Sequence, residues 1–141
     1  MRAFLDTNIL VYLFDDDAPV KKATAQHLLQ GLDSDGQAIL STQVLQEFYV
    51  SVTGKLAQPV PSEEAETAVR ALMALPIVQV DPEMILGAVA RSRSARLSLW
   101  DALILEAALA GGATLLYSED FQHGQAIDGL RIENPFEGPP Q

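Results

Sequence analysis

Short apolar runs alternate along this chain with longer segments in which apolar residues recur every three or four positions. The short runs predict strands over residues 2–5, 37–40, 77–80, 113–117 and, as a fifth, 130–133. The longer segments predict helices over residues 7–14, 20–32, 42–53, 61–75, 81–96 and 98–110. This alternation predicts an α/β fold of three layers, with a central, mostly parallel sheet of four to five strands and helices on both faces.

Length and composition favour a single compact domain. The chain has 141 residues, of which 48% are hydrophobic, so we expect one domain over residues 1–134 and a loose tail over 135–141. No apolar run approaches the ~18 residues of a membrane span. The first residues reach an acid at Asp6, too early for a signal peptide, which leads us to expect a cytoplasmic protein. The absence of cysteine excludes disulfides and cysteine-bound zinc.

The formal net charge of −10 narrows the range of partners. A general nucleic-acid binder carries a basic face, so this charge argues against tight binding to DNA or to a membrane surface. It is compatible with a cluster of carboxylates that binds cations, and with a basic partner protein. Solubility alone is the ordinary explanation of such a charge.

Four acids lie where the predicted sheet would bring them together. Asp6 follows the first strand and Asp120 the fourth, whereas Glu47 and Asp101 lie in early turns of the third and sixth helices. Sites in such folds form beyond the carboxyl ends of the strands. Each acid also has an ordinary role: Asp6 as a helix cap, Glu47 on a solvated face, Asp101 in a capping box with Ser98, and Asp120 in a polar loop.

Convergence of the four acids would have a chemical consequence. Clustered carboxylates repel one another and raise their own pKa values unless cations neutralise them. Oxygen ligands favour Mg²⁺ or Mn²⁺. Paired metal ions hydrolyse phosphodiesters by activating water and stabilising the leaving oxygen. The pattern therefore favours a metal-dependent nuclease.

Four segments, in this order, resemble the motifs of PIN-domain nucleases. They are Phe4–Leu10, Ser41–Phe48, Leu99–Ile104 and Leu116–Phe121. The resemblance spans roughly residues 2 to 134, and the short length without further domains is most similar to VapC-type toxins of toxin–antitoxin pairs. It implies a PIN-like fold, ribonuclease activity, dependence on Mg²⁺ (with Mn²⁺ as a substitute), a homodimer, an RNA substrate and a cognate antitoxin that inhibits the enzyme.

The resemblance also implies roles for particular residues. The catalytic acids would be Asp6, Glu47, Asp101 and Asp120, with Asp6, Asp101 and Asp120 as metal ligands. Thr7, Asn8 and Ser118, together with Glu119, would orient those carboxylates. Glu119 stands next to Asp120 and could supply an oxygen instead of it or as well.

Three arginines precede the sixth helix, at Arg91, Arg93 and Arg96. Their position just before Asp101 makes them candidates for contacts with RNA phosphates. The alternative is a solvated helix end, where cations are favourable because of the helix dipole.

Other functions compete with this interpretation. A phosphatase or phosphotransferase with an aspartyl nucleophile after the first strand would need a second acid at position 8, which holds Asn8. A PIN-like scaffold that only binds a partner need not keep all four acids. A PIN nuclease of RNA processing, outside any toxin–antitoxin pair, is compatible with every residue of the sequence.

Overall fold

Six strands form a single sheet in the computed structural model, which describes residues 2–137. They are β1 (Ala3–Leu5), β2 (Ala38–Ser41), β3 (Ile77–Val78), β4 (Leu115–Tyr117), β5 (Ala126–Ile127) and β6 (Leu130–Glu133). Their order in the sheet is β3-β2-β1-β4-β6-β5, and only β5 pairs antiparallel to its neighbour. The predicted mostly parallel sheet is confirmed.

The predicted count of four to five strands is one too low, because β5 was missed. This strand has two residues, too few to show an alternating pattern, and its pairing with β6 makes a hairpin. Asp128 and Gly129 form the turn with φ values of 51° and 86°. An Asp-Gly pair between two strands is a strong hairpin signal, because both positions of the turn need a positive φ. The Asp128-Gly129 pair was therefore the sequence signal that could have predicted β5.

Six helices connect and cover the strands. They are α1 (Thr7–Val11), α2 (Pro19–Ser34), α3 (Thr42–Gly54), α4 (Ser62–Leu72), α5 (Pro82–Ala95) and α6 (Leu99–Ala110). The first predicted helix is shorter than expected, since α1 ends at Val11 and the chain tightens into a 3₁₀ turn over Tyr12–Phe14. Within residues 2–137, none of the helices has the length and apolar character needed to cross a membrane.

The connections place helices on both faces of the sheet, as predicted. From β1 to β2 to β3 the chain steps in one direction across the sheet, and from β3 it returns past β1 to β4. Right-handed crossovers in opposite directions put their helices on opposite faces. The first four helices therefore cover one face, and α5 and α6 the other. The strand order reverses between β1 and β4, which is where sites form in open α/β sheets.

The strands β1 and β4 are packed in the hydrophobic core. All three residues of β1 are buried, and α6 buries six of its residues, including Ile104 and Leu105. Phe48 of α3 is fully buried on the same core. Complete burial of a side chain of this size contributes roughly 1.5–3 kcal/mol. Groups that follow β1 and β4 are thus attached to rigid elements.

The segment predicted as a tail begins at Pro135. Its residues 135–137 are described, and the ring of Phe136 packs edge-on against Tyr12 with centroids 4.9 Å apart. Residues 138–141 of the predicted tail lie outside the described residues.

Candidate active site

A cleft of about 540 Å³ opens beyond the carboxyl ends of β1 and β4. Its lining includes all four predicted acids, Asp6, Glu47, Asp101 and Asp120. They come from four separate segments: the end of β1, helix α3, the first turn of α6, and the loop after β4. The structure therefore brings together side chains that are up to 114 positions apart in the chain.

Asp6 is the buried member of this set, with 4% of its surface exposed. Its Oδ1 accepts a hydrogen bond of 2.7 Å from the backbone N–H of Thr7, and its Oδ2 accepts one of 2.7 Å from the Ser118 hydroxyl. Burial nevertheless raises the pKa of Asp6 to about 7, against the lowering effect of both hydrogen bonds, and the charges of Asp120 and Glu47 raise it further. A nearby positive charge would therefore favour ionisation of the Asp6 carboxyl group.

Ser118 links Asp6 to the fourth acid. Its hydroxyl donates to Asp6 and accepts from the backbone N–H of Asp120 at 3.1 Å. The side-chain amide of Asn8 lies 3.4 Å from Oδ2 of Asp120. Thr7, Asn8 and Ser118 therefore each contact Asp6 or Asp120 directly, and the Thr7 hydroxyl also contacts Glu47.

The pKa of Asp120 is also raised. Loss of water around its carboxyl group is the largest cause, followed by the negative charges of Asp101, Glu119 and Glu47. Asp101 itself is half-buried in the first turn of α6, where its backbone N–H donates to the Ser98 hydroxyl at 3.0 Å. The Ser98 cap expected from the spacing is present, and it leaves the Asp101 carboxylate in the cleft lining.

Glu47 is held by two donors, one of which the sequence interpretation missed. The Thr7 hydroxyl donates to Oε1 at 2.7 Å, and Nε2 of Gln43 lies 3.3 Å from Oε2. The same Nε2 donates to the carbonyl oxygen of Trp100 at 3.1 Å, so Gln43 ties α3 to the start of α6. Gln43 is 4% exposed. Its spacing of four residues from Glu47 on one helix was the available signal, because such residues share a face.

The Glu119 carboxylate points away from the cleft, toward Tyr12 and Lys21. The Tyr12 hydroxyl donates to its Oε1 at 2.6 Å, and the Lys21 ammonium lies 3.0 Å from its Oε2. The ammonium also lies 4.8 Å from the centre of the Tyr12 ring. Glu119 does not line the cleft, whereas its neighbour Asp120 does.

None of the three predicted arginines lines the cleft. Arg91 forms ion pairs with Glu106 at 2.9 Å and Asp128 at 3.0 Å, and Arg93 and Arg96 are exposed at the end of α5. Among residues 2–137, the one cation in the lining is Lys55, just after α3. The sequence interpretation did not single out Lys55 as a cleft residue.

The donor set fits a hard divalent cation. All four acids offer carboxylate oxygens, which Mg²⁺ prefers, and the raised pKa of Asp6 reflects negative charge and burial that a cation would offset. Within residues 2–137, no three His, Cys, Asp or Glu side chains converge closely enough to hold one ion by themselves. Mg²⁺ usually keeps several waters and takes only one or two carboxylates directly, so the open spacing agrees with that ion.

The fold and the site together define an α/β protein with a carboxylate-lined cleft at the switch point of its sheet. The sequence model of the PIN domain matches residues 3–126, and the chain belongs to the PIN domain family. Among curated proteins, none matches the sequence significantly.

Several solved structures share the fold. A toxin–antitoxin complex from Klebsiella pneumoniae has a TM-score of 0.69 at 24% identity, over 96% of this chain and 98% of that one. VapBC2 from Rickettsia felis, bound to a DNA fragment from its promoter, has a TM-score of 0.68 at 21% identity, over 95% and 98%. VapC20 from Mycobacterium tuberculosis, a toxin that cleaves the sarcin–ricin loop, has a TM-score of 0.62 at 18% identity, over 84% and 89%. At these identities the likeness concerns the fold.

Proposed function

We propose that this chain is a Mg²⁺-dependent endoribonuclease and the toxin of a toxin–antitoxin pair. One observation carries the proposal: four carboxylates from four segments line one cleft at the switch point of the sheet, and one of them, Asp6, is buried with a pKa of about 7. Membership of the PIN domain family and the folds of the toxin structures support it.

The four acids divide into two groups in the proposed reaction. Asp6, Asp101 and Asp120 would hold Mg²⁺, for which Mn²⁺ can substitute, one or two of them directly and the rest through its bound waters, and Glu47 would complete the catalytic set. When bound, the metal supplies an activated water and charge stabilisation for the leaving oxygen. The protein supplies the orientation of the carboxylates: Ser118 fixes Asp6.

Thr7 and Gln43 hold Glu47 from two sides. Donors on both carboxylate oxygens restrict rotation of the side chain, so Glu47 faces the cleft without any ligand to position it. The Asn8 amide restrains Asp120 in the same way at longer distance. The protein therefore fixes the geometry of the carboxylates, and a bound metal ion would neutralise their charge.

A purified-protein assay on total RNA tests the proposal. RNA is incubated with the protein in Mg²⁺, in Mn²⁺ and in excess EDTA, and the fragment ends are mapped by sequencing. We expect cleavage at a limited set of sites with either metal, and none in EDTA. Undiminished cleavage in EDTA contradicts the metal mechanism, and intact RNA in all three conditions contradicts the nuclease.

The proposed partners are a cognate antitoxin and a second copy of the chain. The net charge of −10 and an open acidic cleft suit a basic inhibitor, and two of the structures that share the fold are toxin–antitoxin complexes. On α5, three apolar side chains are exposed: the neighbours Ile85 and Leu86, and Val89 one turn further along the helix. Such a face is typical of an interface, which supports the homodimer.

An arginine of the antitoxin is expected to enter the cleft, where its guanidinium would offset the repulsion among the carboxylates. The protein encoded beside this chain is titrated against the wild type and against a variant with all four acids changed to amides. Binding to the variant should be at least about tenfold weaker, as expected for loss of a charge-assisted contact. Equal binding rules out insertion into the cleft, and no binding to either protein favours an RNA-processing nuclease over a toxin.

The adjacent acids of the fourth motif are expected to differ in effect. Asp120→Asn should lower cleavage at least about 100-fold, whereas Glu119→Gln, whose carboxylate faces Tyr12 and Lys21, should cost about tenfold or less. The two variants remove the same charge one residue apart, so each is the control for the other. Initial cleavage rates on one RNA decide the comparison. A larger loss in Glu119→Gln would assign the metal-binding oxygen to Glu119.

The exposed arginines remain candidates for RNA contacts outside the cleft. If Arg93 and Arg96 each meet a phosphate, the double variant to alanine should bind RNA more weakly, with a slope of log affinity against log salt that is shallower by about 1.4. Arg70→Ala, another exposed arginine, on α4, is the control. Affinities at several salt concentrations give the slope. An unchanged slope in the double variant removes both arginines from the RNA path.

A further inference from the structure

Trp100 is the one tryptophan of the chain, and 61% of its surface is exposed. Tryptophan is among the most buried residue types on average, since leaving its large ring in water costs about 25 cal/mol for each Å² of apolar surface. The residue stands in the first turn of α6, directly before Asp101, and it lines the acidic cleft. The exposed indole next to Asp101 is therefore a candidate surface for contact with a ligand.

The backbone that carries this indole is fixed relative to the acids. The Trp100 carbonyl accepts a hydrogen bond from the buried Gln43 amide, which also contacts Glu47. The reverse orientation of that amide would set its oxygen against a carboxylate and a carbonyl, so the donor must face them. Gln43 thereby links the backbone of Trp100 to Glu47. A rigid aromatic surface binds with little loss of conformational entropy.

The rest of the cleft narrows the chemistry of the ligand. Val50, 56% exposed, lines the same cleft from α3 and adds a second apolar surface. Lys55, at the end of the same helix, contributes the one positive charge among the described lining residues. An apolar ring, a metal-binding acid and a single cation match the base, the scissile phosphate and the neighbouring phosphate of a nucleotide.

We propose that Trp100 is a stacking platform for an unpaired RNA base next to the scissile phosphate, with Lys55 in contact with an adjacent phosphate. The proposal rests on the proposed nuclease function and adds the class of substrate. A base inside a duplex already stacks on its neighbours, and only an unpaired base offers its face to a side chain. Stacking does not depend on charge, so it supplies affinity in a protein whose net charge of −10 repels RNA.

Because Trp100 is the one tryptophan, its fluorescence reports this position alone. The wild-type protein is titrated, in EDTA and in Ca²⁺, with a single-stranded RNA of about 12 nucleotides, a duplex of the same length, and an abasic ribose-phosphate chain. We expect saturable quenching by the single strand and little by the other two. Equal quenching by the abasic chain, or none by the single strand, overturns the platform.

Variants test the same assignment without fluorescence. Trp100→Ala should bind the single strand roughly tenfold more weakly, and Trp100→Phe should recover most of the loss, because stacking contributes about 1–3 kcal/mol for each base. Lys55→Ala should make the salt slope shallower by about 0.7, which Trp100→Ala should not do. Met73→Ala is the matched control, because Met73 is 59% exposed directly after α4 and lies outside the cleft.

The outcomes separate this proposal from the nuclease itself. Undiminished binding by Trp100→Ala overturns the platform while RNA cleavage by the wild type still stands. A change in sedimentation of Trp100→Ala would instead make the indole part of a protein interface, which also overturns it. Quenching by single-stranded RNA without any cleavage in Mg²⁺ or Mn²⁺ would support the base subsite and contradict the nuclease.

Discussion

Asp101→Asn is expected to reduce RNA cleavage at least about 100-fold while the protein stays folded. Outer groups that merely orient metal ligands are worth about 10–100-fold, so a ligand itself should cost more. The fold should survive because the backbone N–H of residue 101 still donates to the Ser98 hydroxyl, and the half-buried amide replaces a carboxylate of the same shape. Initial rates on one RNA, with circular dichroism of the same samples, measure both effects.

Glu83→Gln is the matched control for this variant. Glu83 lies in the first turn of α5 as Asp101 lies in the first turn of α6, so both substitutions remove one charge near a helix N-terminus. Only Asp101 lines the cleft. Glu83→Gln should cleave RNA at the wild-type rate. Full cleavage by Asp101→Asn would end the metal mechanism, and equal losses in both variants would assign the effect to helix stability.

Asp6→Asn is expected to stabilise the metal-free protein at neutral and alkaline pH, by up to roughly 4 kcal/mol. That figure corresponds to the difference between the raised pKa of about 7 and the ordinary value of 3.8. Because the folded wild type binds the Asp6 proton more tightly than the unfolded chain does, the contribution of this proton to wild-type stability is fully present below about pH 3.8. It is lost as the pH rises through about 7, where burial opposes the ionised carboxylate. The amide carries no charge, so its variant should lack this loss.

Denaturant unfolding between pH 4 and 8, in EDTA, measures the effect. Wild-type stability should fall over that range by more than the stability of Asp6→Asn, and Mg²⁺ at pH 8 should restore the wild type only. Asp81→Asn is the control, because Asp81 also caps a helix with its side chain but is exposed. A wild type and an Asp6→Asn variant with parallel pH profiles would show that Asp6 ionises in the folded state without penalty.

Local signals in the sequence pointed to the four acids that line the cleft, but not to every residue around them. The four acids stand directly after strands or in early helical turns, and these positions follow from local signals such as the Ser41 and Ser98 caps. Gln43 shows no such signal beyond its spacing from Glu47. Its importance comes from a hydrogen bond to Trp100, 57 residues away.

Short-range patterns in the sequence by themselves predicted the helices, five of the six strands and the mostly parallel sheet. They also predicted the strand ends that Asp6 and Asp120 follow. Hydrophobic periodicity, helix caps and helix-breaking residues depend on neighbours only a few positions away, so they can be recognised in the sequence alone. The strand β5 was missed because its two residues are flanked by Gln125 and Asp128 and form no apolar run, and its pairing with β6 depends on the hairpin turn.

Tertiary structure alone decided how the charged side chains are partnered. The Ser118 hydroxyl reaches Asp6 across 112 residues of sequence, Lys21 takes the Glu119 carboxylate, and Arg91 is bound by Glu106 and Asp128. Burial of Asp6 is likewise a property of the packed sheet, and it moves the pKa of that carboxyl group to about 7. Charge interactions and desolvation depend on distance in space, which the order of residues along the chain does not contain.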